Sequence, residues 1–170
     1  MKTLIAIDVQ NDFVTGSLGT PEAQAIIPNV RKKIAEYRER KDKIIFTQDT
    51  HDSNYLETDE GKHLPVPHCI AGTDGWKIVD ELSNDEDIIV YKSTFGNLYW
   101  SKLVSQRGDT IEIIGLCTDI CVISNALILK AMFPNSKITV DASCCAGVTP
   151  ETHKSAIEVM KICQIDIIGE

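Results

Sequence analysis

The chain has 170 residues, 43% of them hydrophobic and 25% charged, the balance of one globular domain long enough to bury a sizeable core. Its formal charge of -8 argues against a nucleic-acid backbone or an anionic membrane as partner, since either calls for a basic face, and leaves room for a small neutral or cationic ligand. The N-terminal MKTLIAIDVQND meets a carboxylate after a short apolar run, so it reads as neither signal peptide nor membrane span, and a cytoplasmic location is expected.

Leu4 to Ile7 is a short apolar run closed by Asp8, which suits a strand buried on both faces of a parallel sheet. Residues 11–24, NDFVTGSLGTPEAQ, are turn-rich and read as a loop over that strand's C-terminal end. Ile26, Val30, Ile34 and Tyr37 recur at helical spacing, with Pro28 tolerable in a first turn and the charged residues between them forming a solvated face. Lys43 to Gln48 reads as the second strand, delivering Asp49 and His51. Residues 52–75 contain Gly61, Pro65, Pro67, Gly72 and Gly75 without sustained periodicity. A structureless segment of that length inside a compact domain points to function. Trp76 to Leu82 reads as a short helix, SNDED as an acidic surface turn, Asp87 to Tyr91 as a third strand delivering Lys92, and Leu98 to Gln106 as a helix.

The next stretch organises the rest. The apolar run Ile111, Ile113, Ile114 ends at Gly115, a polar turn follows, and an apolar helical pattern starts directly behind Cys121. A thiol on the first turn of a helix meets unpaired N–H groups and partial positive charge, which favour thiolate. The plain alternative is a buried small hydrophobe, as most free cysteines are. Lys137 to Val140 reads as a fifth strand ending at Asp141. Residues 150–163 form a helix with Pro150 in its first turn, and Ile165 to Ile168 is a sixth strand. Strands alternating with helices give an α/β fold: a three-layer αβα, doubly wound six-stranded parallel sheet of Rossmann type, in one domain over residues 1–170. The six cysteines, at 69, 117, 121, 144, 145 and 163, are expected as reduced thiols. None forms a CxxC pair, which argues against a structural zinc site.

In such a sheet ligands bind beyond the carboxyl ends of the strands, near the point where strand order reverses. The polar residues that end strands are Asp8, Asp49 with His51, Lys92 and, after the fourth, Cys121. Asp8 can take a thiol proton and return it to a leaving amine, while Lys92 stabilises the anionic forms and holds the carboxylate in place. Asp49 and His51, spaced i, i+2, share one face of an extended segment and make half of a metal site. His68 in PVPH is the natural third ligand and would pin the far end of the long loop. Two loop histidines at the surface explain the same spacing. Glu60 and His63 are further candidates, His63 beside Lys62 being the one that faces solvent.

Together the segments AIDVQNDF (6–13), TQDTH (47–51), PHCIAGTDGW (67–76), YKSTFGN (91–97) and GLCTDICV (115–122) resemble the isochorismatase-like cysteine hydrolases, and within them the nicotinamidase branch. The resemblance implies an Asp8, Lys92 and Cys121 triad that attacks an amide carbonyl through a thioester. It also implies a cis peptide at Leu116–Cys117 and an oxyanion hole from the backbone N–H groups of Cys117 and Cys121. In that branch Asp49, His51 and His68 bind a divalent metal, zinc first with iron or manganese as alternatives, and a loop carboxylate, here Glu60, can join them. The branch commonly places an aromatic residue shortly before the third ligand; this chain has LPVP (64–67) there. Phe13 remains as one aromatic wall, with Tyr55, Phe95 or Trp100 as candidates for another. A small amide, with nicotinamide foremost, is the implied substrate, and a homo-oligomer the implied assembly. Two rivals stay open: another amide, ureido or enol ether substrate on the same scaffold, and a non-catalytic binding or redox-responsive module.

Overall fold

The computed structural model describes residues 2–104 and 110–170. Its strands are β1 (Lys2–Ile7), β2 (Lys43–Asp49), β3 (Ile88–Lys92), β4 (Thr110–Leu116), β5 (Lys137–Ala146) and β6 (Asp166–Ile168). All pair in parallel, in the order β3-β2-β1-β4-β5-β6. Strand order therefore reverses between β1 and β4, where a doubly wound sheet opens its crevice. The helices are α1 (Asn11–Val14), α2 (Pro21–Glu39), α3 (Asp59–His63), α4 (Ile123–Met132) and α5 (Pro150–Ile162).

The apolar runs are continuous because the strands are buried on both faces. Leu4, Ala6, Ile44, Phe46 and Ile114 pack under α2, against Ile26, Val30, Ile34 and Tyr37. Ile5, Ile7, Ile45, Ile111 and Ile113 face the other way, onto Val122, Ala126 and Leu129 beside α4 and Ile157 and Met160 of α5. Gly115 is fixed by the sheet itself. It sits at φ +122°, and a Cβ there would lie 2.0 Å from the carbonyl oxygen of Ile7. Only glycine lets β4 come that close to β1 just before both strands deliver their polar residues. No helix is long and apolar enough to cross a membrane among the described residues.

Several local expectations change. The helix expected from Ile26 starts at Pro21, where the Thr20 hydroxyl accepts from Ala23 N–H at 3.0 Å, so Pro28 lies inside it rather than in its first turn. Residues 52–75 are not structureless: they hold a 3₁₀ turn at Tyr55–Glu57, the α3 helix capped by Thr58, and a bridge between His51 and Ile70. Elements of three to five residues are too short to show a period. Trp76 to Leu82 is not a helix. It runs against the end of β1, with Ile78 bridged to Gln10 and Val79 N–H bonded to the Val9 carbonyl at 3.0 Å. Of the helix expected at Leu98–Gln106, only a 3₁₀ turn at Trp100–Lys102 is present, and Ser105 and Gln106 lie outside the described residues. β5 continues past Asp141 by a bulge, because Val140 pairs with Ile113 but Cys145 pairs with Gly115.

Candidate active site

The carboxyl ends of β1, β2 and β3 and the turn after β4 converge on a cavity of about 700 Å³. Asp8, at φ +48°, turns off the end of β1, and its Oδ1 accepts the Thr47 hydroxyl at 2.6 Å. Lys92 ends β3, its Nζ 2.6 Å from Asp8 Oδ2, 3.5 Å from Asp49 Oδ1 and 3.7 Å from Cys121 Sγ. Asp8 also faces the thiol. The structure thus brings together the three residues singled out for catalysis, all buried.

The turn that carries Cys121 differs from a plain helix start. The Leu116–Cys117 peptide is cis, and residues Thr118–Val122 form a π-helical turn ahead of α4. The Cys117 carbonyl accepts the N–H groups of both Ile120 and Val122 at 3.1 Å. Cys121 therefore lies in a widened turn, a feature frequent at functional sites. Cys117 and Cys121 both line the cavity.

Beside the triad, Asp49, His51, Glu60 and His68 each offer a ligand atom, all within 4.8 Å of one another. His51 Nε2 lies 3.0 Å from Asp49 Oδ2, and Glu60 Oε1 stands 3.7 Å from His51 Nε2 and 3.6 Å from His68 Nε2. His68 Nδ1 pairs with the Val66 carbonyl at 2.9 Å, which aims Nε2 inward as an outer partner does for a metal-binding imidazole. Two imidazoles and two carboxylates suit a divalent ion such as zinc, iron or manganese. Glu60 reaches the cluster because α3 lifts it there; His63, four-fifths exposed on its side chain, stays at the cavity mouth.

The aromatic assignments divide. Phe13 lines the cavity, its ring 5.5 Å from that of His68, and Phe95 lines it from the segment after β3. Tyr55 does not. It packs behind the metal cluster, 4.8 Å from the His51 ring and 4.9 Å from the His68 ring, and its hydroxyl donates to the Leu64 carbonyl. Trp100 is fully buried in the core, donating to Asn125. Both are large aromatics drawn into packing, where they bury the most area.

The isochorismatase domain model matches residues 2–169. The chain belongs to the isochorismatase family. Among its relatives is the nicotinamidase/pyrazinamidase of Mycobacterium tuberculosis, 26% identical over 99% of this chain and 98% of that protein. The pyrazinamidase of Pyrococcus horikoshii, solved in complex with zinc, superposes with a TM-score of 0.85 at 28% identity, covering 99% of each chain. The yeast nicotinamidase bound to the inhibitor nicotinaldehyde shares the fold, with a TM-score of 0.81 at 21% identity over the whole of both chains. Within the isochorismatase family the chain groups with the nicotinamidase-like branch.

The electrostatics of this family member separate the roles of its acids. Burial pushes Asp8 above the usual carboxylate range, against the pull of Lys92. Burial also lifts the Cys121 thiol well above its ordinary value, helped by the Asp8 charge and only opposed by Lys92. At Cys121, burial beside a carboxylate thus works against the turn's dipole, which favours thiolate. Lys92, although buried, is held protonated by Asp8 and Asp49. Against its own burial, Asp49 is kept far below the carboxylate range by His51 and His68.

Four supporting residues carry no signal of their role in the sequence reading. Gln10 donates to the carbonyls of Asp49 at 2.9 Å and Trp76 at 2.7 Å and accepts Asp49 N–H at 2.7 Å, fixing the metal-side carboxylate by its backbone. Asp12 accepts Cys69 N–H at 2.7 Å, pinning the loop just after His68. Thr47 orients Asp8. Asn125 donates to the carbonyls of Cys121 at 2.8 Å and Phe95 at 3.0 Å, joining the nucleophile turn to the segment after β3. Of these, Gln10 and Asp12 lie inside AIDVQNDF and Thr47 inside TQDTH, segments that the resemblance could have flagged.

Proposed function

We propose that this enzyme is a cysteine-dependent amidohydrolase that converts nicotinamide, or a close aromatic carboxamide, to the carboxylic acid and ammonia. Hydrolysis of an amide C–N bond is the chemistry of the nicotinamidase relatives within its family. The observation that carries the cysteine mechanism is the contact of Lys92 Nζ with both Asp8, at 2.6 Å, and Cys121 Sγ, at 3.7 Å, at the edge of the cavity.

Asp8 takes the Cys121 proton as sulfur attacks the carbonyl carbon, a transfer favoured because burial makes this carboxylate more basic than usual. The developing oxyanion accepts from the backbone N–H groups of Cys117 and Cys121. Asp8 then returns the proton to the departing ammonia, leaving a thioester on Cys121. Water, deprotonated by Asp8, releases the acid and regenerates the thiol. Lys92 stays protonated throughout and offsets the charge that passes between Asp8 and the sulfur. Asp49, His51, Glu60 and His68 would hold a zinc ion, which when bound supplies a Lewis-acid anchor for the substrate's ring nitrogen.

The lining of the cavity favours a neutral substrate over an anionic enol ether or ureido acid. Phe13, Leu18, Leu64, Phe95, Ile120 and Val148 make its apolar wall, and no lysine or arginine lines it among the described residues. Lys92 is already shared between Asp8 and Asp49. A substrate carboxylate away from the metal ligands would meet Asp59 instead. The space also exceeds a single ring, so ring substituents should be tolerated.

Ammonia release from nicotinamide tests the proposal. Wild type should turn over, Cys121→Ala should lose at least about 10³-fold, and chelation should remove about tenfold or more, restored by zinc. Equal rates for wild type and Cys121→Ala, or no release from any of a panel of neutral carboxamides, would contradict it.

A further inference from the structure

The nucleophile turn is held from outside the triad by the start of α5. Thr118, fully buried and next to Cys117, pairs through Oγ1 with His153 Nδ1 at 2.7 Å. Asp119 accepts the Val148 N–H on both carboxylate oxygens, at 3.2 and 3.1 Å. Between these two ties lies Gly147, where a Cβ would stand 2.9 Å from the Cβ and backbone nitrogen of His153. The helix that presents His153 is itself fixed by the reciprocal Thr149–Thr152 capping box. Gly147 and Val148 line the same cavity as Cys117, Ile120 and Cys121. Burial lowers the pKa of His153, which favours the neutral imidazole, and either ring tautomer completes the bond with the hydroxyl.

We propose that His153 is a positioning residue: through Thr118 it sets the Cys117–Cys121 backbone at the geometry in which its N–H groups meet the oxyanion. Asn125 anchors the far end of the same turn at the Cys121 carbonyl, so the His153 tie fixes the end that Asn125 leaves free. The proposal rests on the amidohydrolase reading of the site. Oxyanion donors act only when aimed at the transition-state oxygen, so loosening this end should lower kcat and leave ground-state binding alone.

The test compares His153→Ala, His153→Asn, Thr118→Val and the Ala/Val double variant for nicotinamide kcat and KM, with a thermal melt of each. His153→Ala and Thr118→Val should each lose about tenfold or more in kcat with KM within about twofold. The double variant should lose no more than the worse single, since both break one bond. His153→Asn, whose amide falls near the Nδ1 position, should recover most of the loss. An unchanged kcat in His153→Ala overturns the proposal, as do multiplied losses in the double variant or a failure of Asn to rescue a variant that melts like wild type. If wild type hydrolyses no carboxamide, the substrate reading fails by itself, and the tie is judged by iodoacetamide alkylation of Cys121. A rate changed at least about threefold in His153→Ala and restored in His153→Asn supports it; an unchanged rate contradicts it.

Discussion

Two lysines of this fold, Lys33 half-buried and Lys92 buried, each stand between two carboxylates, and their surroundings send them to different ends. Lys33, from α2, lies 2.6 Å from Glu112 and 2.8 Å from Asp141. Tyr37 donates to the other oxygen of Glu112, and Ser143 gives Asp141 both its hydroxyl and its backbone N–H. Despite burial, Lys33 first and Ser143 second hold Asp141 below the usual carboxylate range. Lys92 lies between Asp8 and Asp49, but Asp8 is fully buried with the Asp49 charge nearby, and its pKa rises. The first cluster is covered by α2 and finished; the second faces a thiol and a cavity. A lysine between carboxylates is therefore no mark of a site by itself; what sets the second cluster apart is the thiol and the cavity it faces.

Removing each lysine should break the comparison open. Lys92→Met should lose about 10³-fold or more in turnover, since it strips the counter-charge from both Asp8 and the reacting sulfur. Lys33→Met should leave turnover per folded molecule within about twofold yet cost about 1–2 kcal/mol of stability, because it takes the charged partner from half-buried Glu112 and buried Asp141. Activity assays and denaturant titrations on both variants decide it; equal activity losses would dissolve the contrast.

A smaller effect sharpens it through pH. The folded Asp141 titrates below its unfolded value of about 3.9. The stability it contributes is thus fully present above that pH and is lost as pH falls through the lower folded value. Melting temperature should drop more steeply between about pH 4 and pH 2 in wild type than in Asp141→Asn. Parallel curves would show that the Lys33 cluster adds no acid-sensitive stability.

Much of the fold and of the site is legible in the amino-acid sequence. Six short apolar runs are what a doubly buried parallel sheet requires, and the ends of the first four put Asp8, Asp49, Lys92 and Cys121 at one edge. The His51 and His68 pair, joined across the loop by the bridge between His51 and Ile70, is also legible from spacing and resemblance. What stays hidden depends on partners distant in sequence. Gln10 looks like any loop amide until it meets Asp49, 39 residues away. Tyr55 and Trp100 have the right chemistry for a ring wall, and only packing shows that they lie elsewhere. The helix expected at Trp76–Leu82 does not form because Gln10 and Gln48 both donate to the Trp76 carbonyl, holding the segment against β1 and β2. The upward push on the Cys121 thiol escapes a sequence reading because a local dipole is visible in the residue pattern, while burial and the Asp8 charge are not.

The central claim is that Cys121 is the nucleophile that Asp8 deprotonates. Rapid acid quench of the metal-loaded enzyme with nicotinamide, followed by peptide mass spectrometry, tests it most directly. A nicotinoyl group carried by the peptide containing Cys121, absent in Cys121→Ala and strongly reduced in Asp8→Asn, is the predicted result. Turnover with no acyl group on that peptide at any time, or the same adduct level in Asp8→Asn, would contradict it.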